Sequence, residues 1–143
     1  MVVTLTDAPA DPGSSPLVTE WGIPGFPGVR RFRLGRWADD SPFHVLRCVD
    51  GPAPGPDFLV VRPGDFFPGY SCEIDPATVG RLGLDRPEDA LVLVIVTAGP
   101  APGEATANLL GPLVVNVGAG RVAQVDQSRA GHGARVPLPL TPS

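Results

Sequence analysis

The stretch Gly118-Ala119-Gly120-Arg121-Val122-Ala123 follows an apolar run and carries the spacing G-x-G-x-x-A, in which glycines let a backbone approach a dinucleotide pyrophosphate. That chemistry also needs a helix N-terminus under the phosphates and an acidic residue about 20 positions on. Here a second strand-like run follows instead, so Asn116 to Gly120 reads as a hairpin turn with glycine supplying positive φ. All eleven basic residues are Arg and none is Lys, which excludes a phosphate-binding G-x-x-x-x-G-K-[ST] loop. His44 and Cys48 invite a thiol–imidazole reading, but both lie in a strand-like run. Four residues of strand span about 13 Å, too far for a hydrogen bond. There is no G-x-S-x-G. Two Cys (Cys48, Cys72) and two His (His44, His132) make no usual zinc set, and the cysteines read as reduced thiols within strands.

The carboxylate pairs Asp39-Asp40 and Glu88-Asp89 are adjacent in sequence, whereas acid–base catalysis uses carboxyls in different environments around a cleft. They read as turn residues, as do Asp65 and Asp75. Arg30, Arg31, Arg33 and Arg36 form the basic cluster, with Phe32 and Trp37 interleaved. On a strand Arg31 and Arg33 share a face opposite Arg30, Phe32 and Leu34, which reads as a solvated face, with an anion or protein-partner site as the alternative, rather than as a nucleic-acid stripe. Phe66-Phe67-Pro68-Gly69-Tyr70 places three aromatics around a Pro-Gly turn. Adjacent Phe66 and Phe67 are expected on opposite sides, and an exposed aromatic on a rigid turn is an anchor for a protein partner. Core packing is the competing reading.

The elements that must position these residues are short. With 143 residues, 43% of them hydrophobic and 18% charged, the chain suits one globular domain. Gly 18 and Pro 19 leave little room for long helices. A net charge of −4 and a pI near 5.0 oppose nucleic-acid binding and favour a basic protein partner. No apolar run reaches the ~18 residues of a membrane span, and the N-terminus has no signal-peptide pattern, so a cytoplasmic protein is expected. Strand-like runs fall at Val29–Leu34, Phe43–Val49, Asp57–Arg62, Tyr70–Ile74, Ala90–Thr97, Leu113–Val117 and Arg121–Asp126, the pattern of an all-β sandwich or barrel. Leu91 to Val96 is apolar at every position, so both of its faces are expected to be buried. One short helix is expected, with Asp75 as N-cap, Pro76 at its first position and Gly83 after its end. Residues 1–16, with a Pro/Gly/Ser tract from Ala8 to Pro16, read as a flexible lead-in; 17–136 as the single β domain; 137–143 as an extended tail.

Several blocks, in order, resemble the flagellar assembly factor FliW family. They are Gly22 to Phe26 (GIPGF), Asp40-Ser41-Pro42-Phe43, and Asp57 to Pro63 followed by Asp65 to Tyr70. Thr106-Ala107-Asn108-Leu109 with Gly111-Pro112-Leu113-Val114-Val115-Asn116 follows, and Gln124 falls where the family places a Gln. The resemblance implies a mostly β, small β-barrel-like domain with one short helix that binds proteins, is no enzyme and needs no cofactor or metal. It implies as partners CsrA, a small basic RNA-binding translational repressor, and flagellin. Free flagellin would occupy the factor and release CsrA to repress flagellin synthesis. A flagellin-only chaperone, or a small ligand-binding barrel, are the alternatives. A monomer without direct nucleic-acid or membrane contact is expected. From expected exposure, the partner-binding candidates are Phe66, Phe67 and Tyr70 as anchors and Glu73 toward a basic side chain. Asn108 and Leu109 complete the set, the Asn108 amide either bonding partner backbone or bridging a turn.

Overall fold

The computed structural model describes residues 2–4, 15–19, 31–36, 43–49, 57–67, 70–97, 104–127 and 133–137. Its strands are β1 (Val2–Thr4), β2 (Ser15–Val18), β3 (Arg31–Arg36), β4 (Phe43–Cys48), β5 (Asp57–Val61), β6 (Ser71–Glu73), β7 (Leu91–Thr97), β8 (Thr106–Ala107), β9 (Leu113–Asn116), β10 (Arg121–Gln124) and β11 (Val136–Pro137), with one helix, α1 (Pro76–Leu82). Seven strands close a ring in the order β5-β4-β3-β2-β10-β9-β7, and β7 returns to β5. Every seam of the ring is antiparallel except β2–β10, which is parallel and, among the described residues, bridged at Val18 and Arg121. β8 extends β7 beyond the ring and carries β11. β1 and β6 form a separate two-stranded ribbon.

Alternation along the strands creates two cores. Leu17, Phe32, Leu34, Leu46, Phe58, Val60, Leu91, Leu93, Leu113, Val115 and Val122 fill the barrel. Val92, Val94 and Val96 of β7, Val114 of β9 and Ala123 of β10 point outward and are covered by Tyr70, Cys72, Ile74, Leu82 and Leu109. The uniformly apolar β7 is thus explained: its odd positions pack inward and its even positions lie under the ribbon and helix. β4 puts its even positions, His44, Leu46 and Cys48, inside and leaves Arg47 exposed. In β3, Phe32 and Leu34 are buried while Arg31 and Arg33 face solvent, as the alternation predicts; Arg30 lies outside the described residues.

The helix is set by its ends. Asp75 caps it by accepting the Thr78 N–H at 3.0 Å and the Thr78 hydroxyl at 2.6 Å. Gly83 closes it at φ 69°, a left-handed conformation that favours glycine, and the Leu84 N–H reaches back to the Val79 carbonyl at 3.0 Å. The bond to the Thr78 hydroxyl, with help from the Thr78 N–H, holds the Asp75 carboxyl below the ordinary carboxylate range. Asp75→Ala is expected to lower stability by about 1 kcal/mol at neutral pH in urea melts. A depressed folded pKa contributes stability above the unfolded value that is lost as pH falls through the folded one. The gap between wild type and variant should therefore close in acid; a constant gap would show that the carboxylate is not what caps the helix.

Asn116 to Gly120 forms the β9–β10 hairpin, with Gly120 at φ 68°; a strand, not a helix, follows the G-x-G-x-x-A spacing. Of the expected lead-in, residues 5–14 lie outside the described residues, while Val2–Thr4 and Ser15–Val18 are strands. Of the expected tail, Pro137 pairs with Thr106 of β8, next to the Val136–Ala107 pair, and residues 138–143 lie outside those described. The Asp39-Asp40 pair and the Gly22–Phe26 block also lie outside them.

Candidate functional site

The ribbon strand β6, the segment after β8 and the continuation of β10 to Gln127 meet through side chains that bond backbone. The Tyr70 hydroxyl donates to the Leu109 carbonyl at 2.9 Å, and burial pushes the phenol pKa far above its ordinary value. The Cys72 thiol beneath the ribbon is likewise pushed up to about 12 by burial, so it stays protonated. Gln127, 3% exposed, accepts the Glu73 N–H on Oε1 at 2.9 Å and donates from Nε2 to the Glu73 carbonyl at 2.6 Å. A carboxamide offers one acceptor and one donor edge, so Gln127 gives β6 the two bonds a neighbouring strand would supply. Its own N–H donates to the Leu110 carbonyl at 2.8 Å.

Gly111 is the second meeting point. Its N–H donates to Asn108 Oδ1 at 3.0 Å, and its carbonyl accepts from Gln124 Nε2 at 2.9 Å. A Cβ at Gly111 would lie 2.7 Å from Gln124 Nε2 and 3.3 Å from Asn108 Nδ2, so the close approach of both amides favours glycine there. Beside it opens a groove of about 270 Å³ lined by Asn108, Leu110, Gly111, Gln124, Val125 and Asp126.

The expected site residues fall into three positions. Glu73 is exposed. Phe66 and Phe67 do not diverge: both are half-buried against the outer core, Phe66 with its ring 6.1 Å from that of Phe43. Both rings find apolar cover because the tight 3-10 turn at Pro63–Asp65 folds the segment back, the Phe66 and Phe67 N–H groups donating to the Pro63 carbonyl. Tyr70 and Leu109 are buried, at 6% and 5% exposure, so they support the surface from beneath. Asn108 makes the turn bridge that was one of its two readings, accepting the Gly111 N–H on Oδ1, and it lines the groove. Pro68 and Gly69 lie outside the described residues. Sequence reasoning missed Gln127 and the role of Gly111, because each acquires meaning only when a segment distant in sequence lies alongside. Among the described residues, no cluster of three or more His, Cys, Asp or Glu could hold a metal, and no helix is long and apolar enough to cross a membrane.

The fold class is that of a closed seven-stranded β-barrel whose outer face is capped by a two-stranded ribbon and one helix. A family model described as FliW protein matches residues 11–138. A relative from Geobacillus sp. (strain WCH70), named flagellar assembly factor FliW, is 38% identical over 98 residues, 68% of this chain and 66% of that one. The Bacillus subtilis (strain 168) protein of the same name is 36% identical over 100 residues, 70% of this chain and 68% of its own. The matched stretch thus spans about two thirds of the curated relatives. A solved structure titled as the crystal structure of the flagellar assembly factor FliW superimposes with a TM-score of 0.79 at 29% identity, covering 90% of this chain and 87% of that one. The chain belongs to the FliW family.

Proposed function

We propose that this chain is a cytoplasmic, monomeric flagellar assembly factor that works by contact and not by catalysis. It binds CsrA, relieving repression of flagellin synthesis, and binds flagellin in a partner switch, without touching nucleic acid or membrane. The observation that carries the reading is family membership over nearly the whole described barrel, its relatives being named flagellar assembly factors. The polar side chains of the site support it: Tyr70, Asn108, Gln124 and Gln127 all bond backbone, which rigidifies a surface and does not assemble a reacting centre. The net charge of −4 suits a cationic partner.

Recombinant CsrA and flagellin, offered separately to the immobilised protein, should each be captured. Capture of flagellin alone would replace the partner switch with a flagellin-only chaperone, and capture of neither would end the reading. Glu73→Arg reverses an exposed charge without altering the backbone that Gln127 holds. It should weaken CsrA binding by ~1 kcal/mol or more with an unchanged melting temperature. Phe67→Ala should do the same with a modest loss of stability, since its ring packs on the outer core. Full affinity in both variants would remove this surface from the interface. Raising salt should slow association in stopped-flow mixing, because complementary charge acts mainly on encounter; a salt-independent rate would discard the electrostatic part.

A further inference from the structure

We propose that β1 is a displaceable placeholder, and that the edge of β6 beneath it accepts an extended segment of a protein partner carrying an Arg or Lys opposite Glu73. β1 (Val2–Thr4) pairs with β6 (Ser71–Glu73) as a two-stranded ribbon, and among the described residues it has no other strand partner. In an antiparallel pair, successive residues turn their main-chain N–H and C=O alternately to one neighbour and to the other. Glu73 turns both to Gln127, at 2.9 and 2.6 Å. Within the paired register Cys72 is therefore the residue that turns both toward β1, opposite Val3. One hydrogen-bonded pair holds the ribbon together, and a ribbon of two short strands is marginal in water. Local opening draws first on elements held this weakly. Residues 5–14 separate β1 from β2 and span up to about 33 Å when extended, so β1 can leave without drawing the barrel with it.

When β1 lifts, β6 keeps its place. Gln127 holds its far edge, and Tyr70, immediately before it, is fastened to the Leu109 carbonyl. The open edge offers the Cys72 N–H and C=O, which an extended strand satisfies by adding to the ribbon. Charge selects the strand. Glu73 is exposed, while Cys72 beside it is fully buried. The residue that β1 places opposite Glu73 is Val2, which gives the carboxylate no opposite charge across the ribbon. β1 also lies against the 3-10 turn Pro87–Asp89, where Glu88 and Asp89 share one guanidinium, that of Arg86, at 3.9 and 3.5 Å. An incoming strand with a cation in the register of Val2 gains a directly opposite charge pair that β1 lacks, on a chain of net charge −4. An acidic strand meets repulsion there and leaves β1 in place. This contact rests on the protein-binding reading above, but a peptide probes it, so either can fail without the other.

The probe is a fluorescein-labelled peptide, Gly-Ser-Arg-Val-Thr-Ser-Gly, whose Arg, Val and Thr match the register of Val2, Val3 and Thr4; a second peptide carries Glu in place of Arg. Each is titrated by anisotropy into wild type, Glu73→Arg and Val3→Pro, with thermal melts and amide hydrogen exchange alongside. In wild type we expect saturable binding of the Arg peptide, at least tenfold tighter than of the Glu peptide, and faster exchange at Val2–Thr4 as β1 is released. Glu73→Arg should reverse the preference. Val3→Pro removes the N–H that β1 brings to Cys72. A weaker placeholder leaves the edge open more often, so the Arg peptide should bind this variant at least threefold tighter than wild type. Were β1 part of the binding surface, damage to it would lower affinity instead. Absence of saturable binding, equal affinities for the two peptides, a preference that survives Glu73→Arg, or exchange at Val2–Thr4 that fails to quicken on binding each overturns the proposal. Unchanged or weaker binding by Val3→Pro overturns it as well. Should Val3→Pro melt early, the charge reversal and the exchange decide alone. Capture of CsrA and flagellin by wild type decides the broader reading separately.

Discussion

Phe32→Ala is expected to lower unfolding free energy by about 3–5 kcal/mol. Phe32 is 1% exposed inside the barrel, where its ring centroid lies 6.3 Å from that of Phe58. It sits on β3, which is paired on both sides by β2 and β4. Strands hydrogen-bonded into a closed ring cannot move inward to fill the space left by a ring, so the cavity persists and the full penalty is felt. Against the usual 5–15 kcal/mol of a domain this is a large share. Urea denaturation should show the midpoint falling with the slope unchanged. A loss below about 1 kcal/mol would mean that the barrel interior is not close-packed around this ring.

Asn116→Ala should remove about 2–3 kcal/mol, at the rate of roughly 1 kcal/mol per net hydrogen bond. The side chain is 7% exposed. Its Nδ2 donates to the Leu82 carbonyl at 2.8 Å and the Gly83 carbonyl at 3.3 Å, and its Oδ1 accepts the Ala119 N–H at 3.2 Å. One amide thus fastens the C-terminus of α1 to the β9–β10 hairpin. Asn116→Asp is a sharper test. It keeps the acceptor for Ala119 but turns a second oxygen toward two carbonyls at the negative end of the helix. The carboxylate is disfavoured there, so its folded pKa rises above the unfolded value near 3.9. Stability is then retained below the unfolded value and lost as pH rises through the folded one. At neutral pH Asn116→Asp should be less stable than Asn116→Ala, and acid should narrow or reverse the difference. Equal stabilities from acid to neutral pH would remove Asn116 as the link between helix and hairpin.

What the chain discloses without coordinates is what local chemistry dictates. The helix was legible from Asp75, Pro76 and Gly83 because caps are one-residue signals, and β7 because only a doubly covered strand tolerates six apolar residues in a row. The strand cores at 43–48, 57–61 and 91–97 follow from apolar runs bounded by Gly and Pro. β2 was hidden because Ser15 and Pro16 look like linker; Pro16 is accommodated since, among the described residues, the β10 side of β2 is bridged at Val18 and not at Pro16. β1, β8 and β11 are two or three residues long and owe their pairing to distant partners. The facing of β4 was ambiguous because Arg47 shares a side with Phe43 and Val45. The barrel resolves it by taking His44, Leu46 and Cys48 inside. At the site, Glu73 and Asn108 were visible as polar residues beside apolar runs. The burial of Tyr70 and Leu109 was not, because it depends on a hydroxyl–carbonyl bond across 39 positions. Gln127 gave no local signal, since its partner Glu73 lies 54 positions away.

The parallel bridge between Val18 and Arg121 has a consequence for biosynthesis. On the ribosome β2 emerges early and β10 late. At 5–20 residues per second, the N-terminal meander waits on the order of ten seconds for the strand that completes its circle. Through that interval the flank of β2 and the apolar lining of β3 and β4 would wait without their partner strand, the transient exposure against which chaperones act.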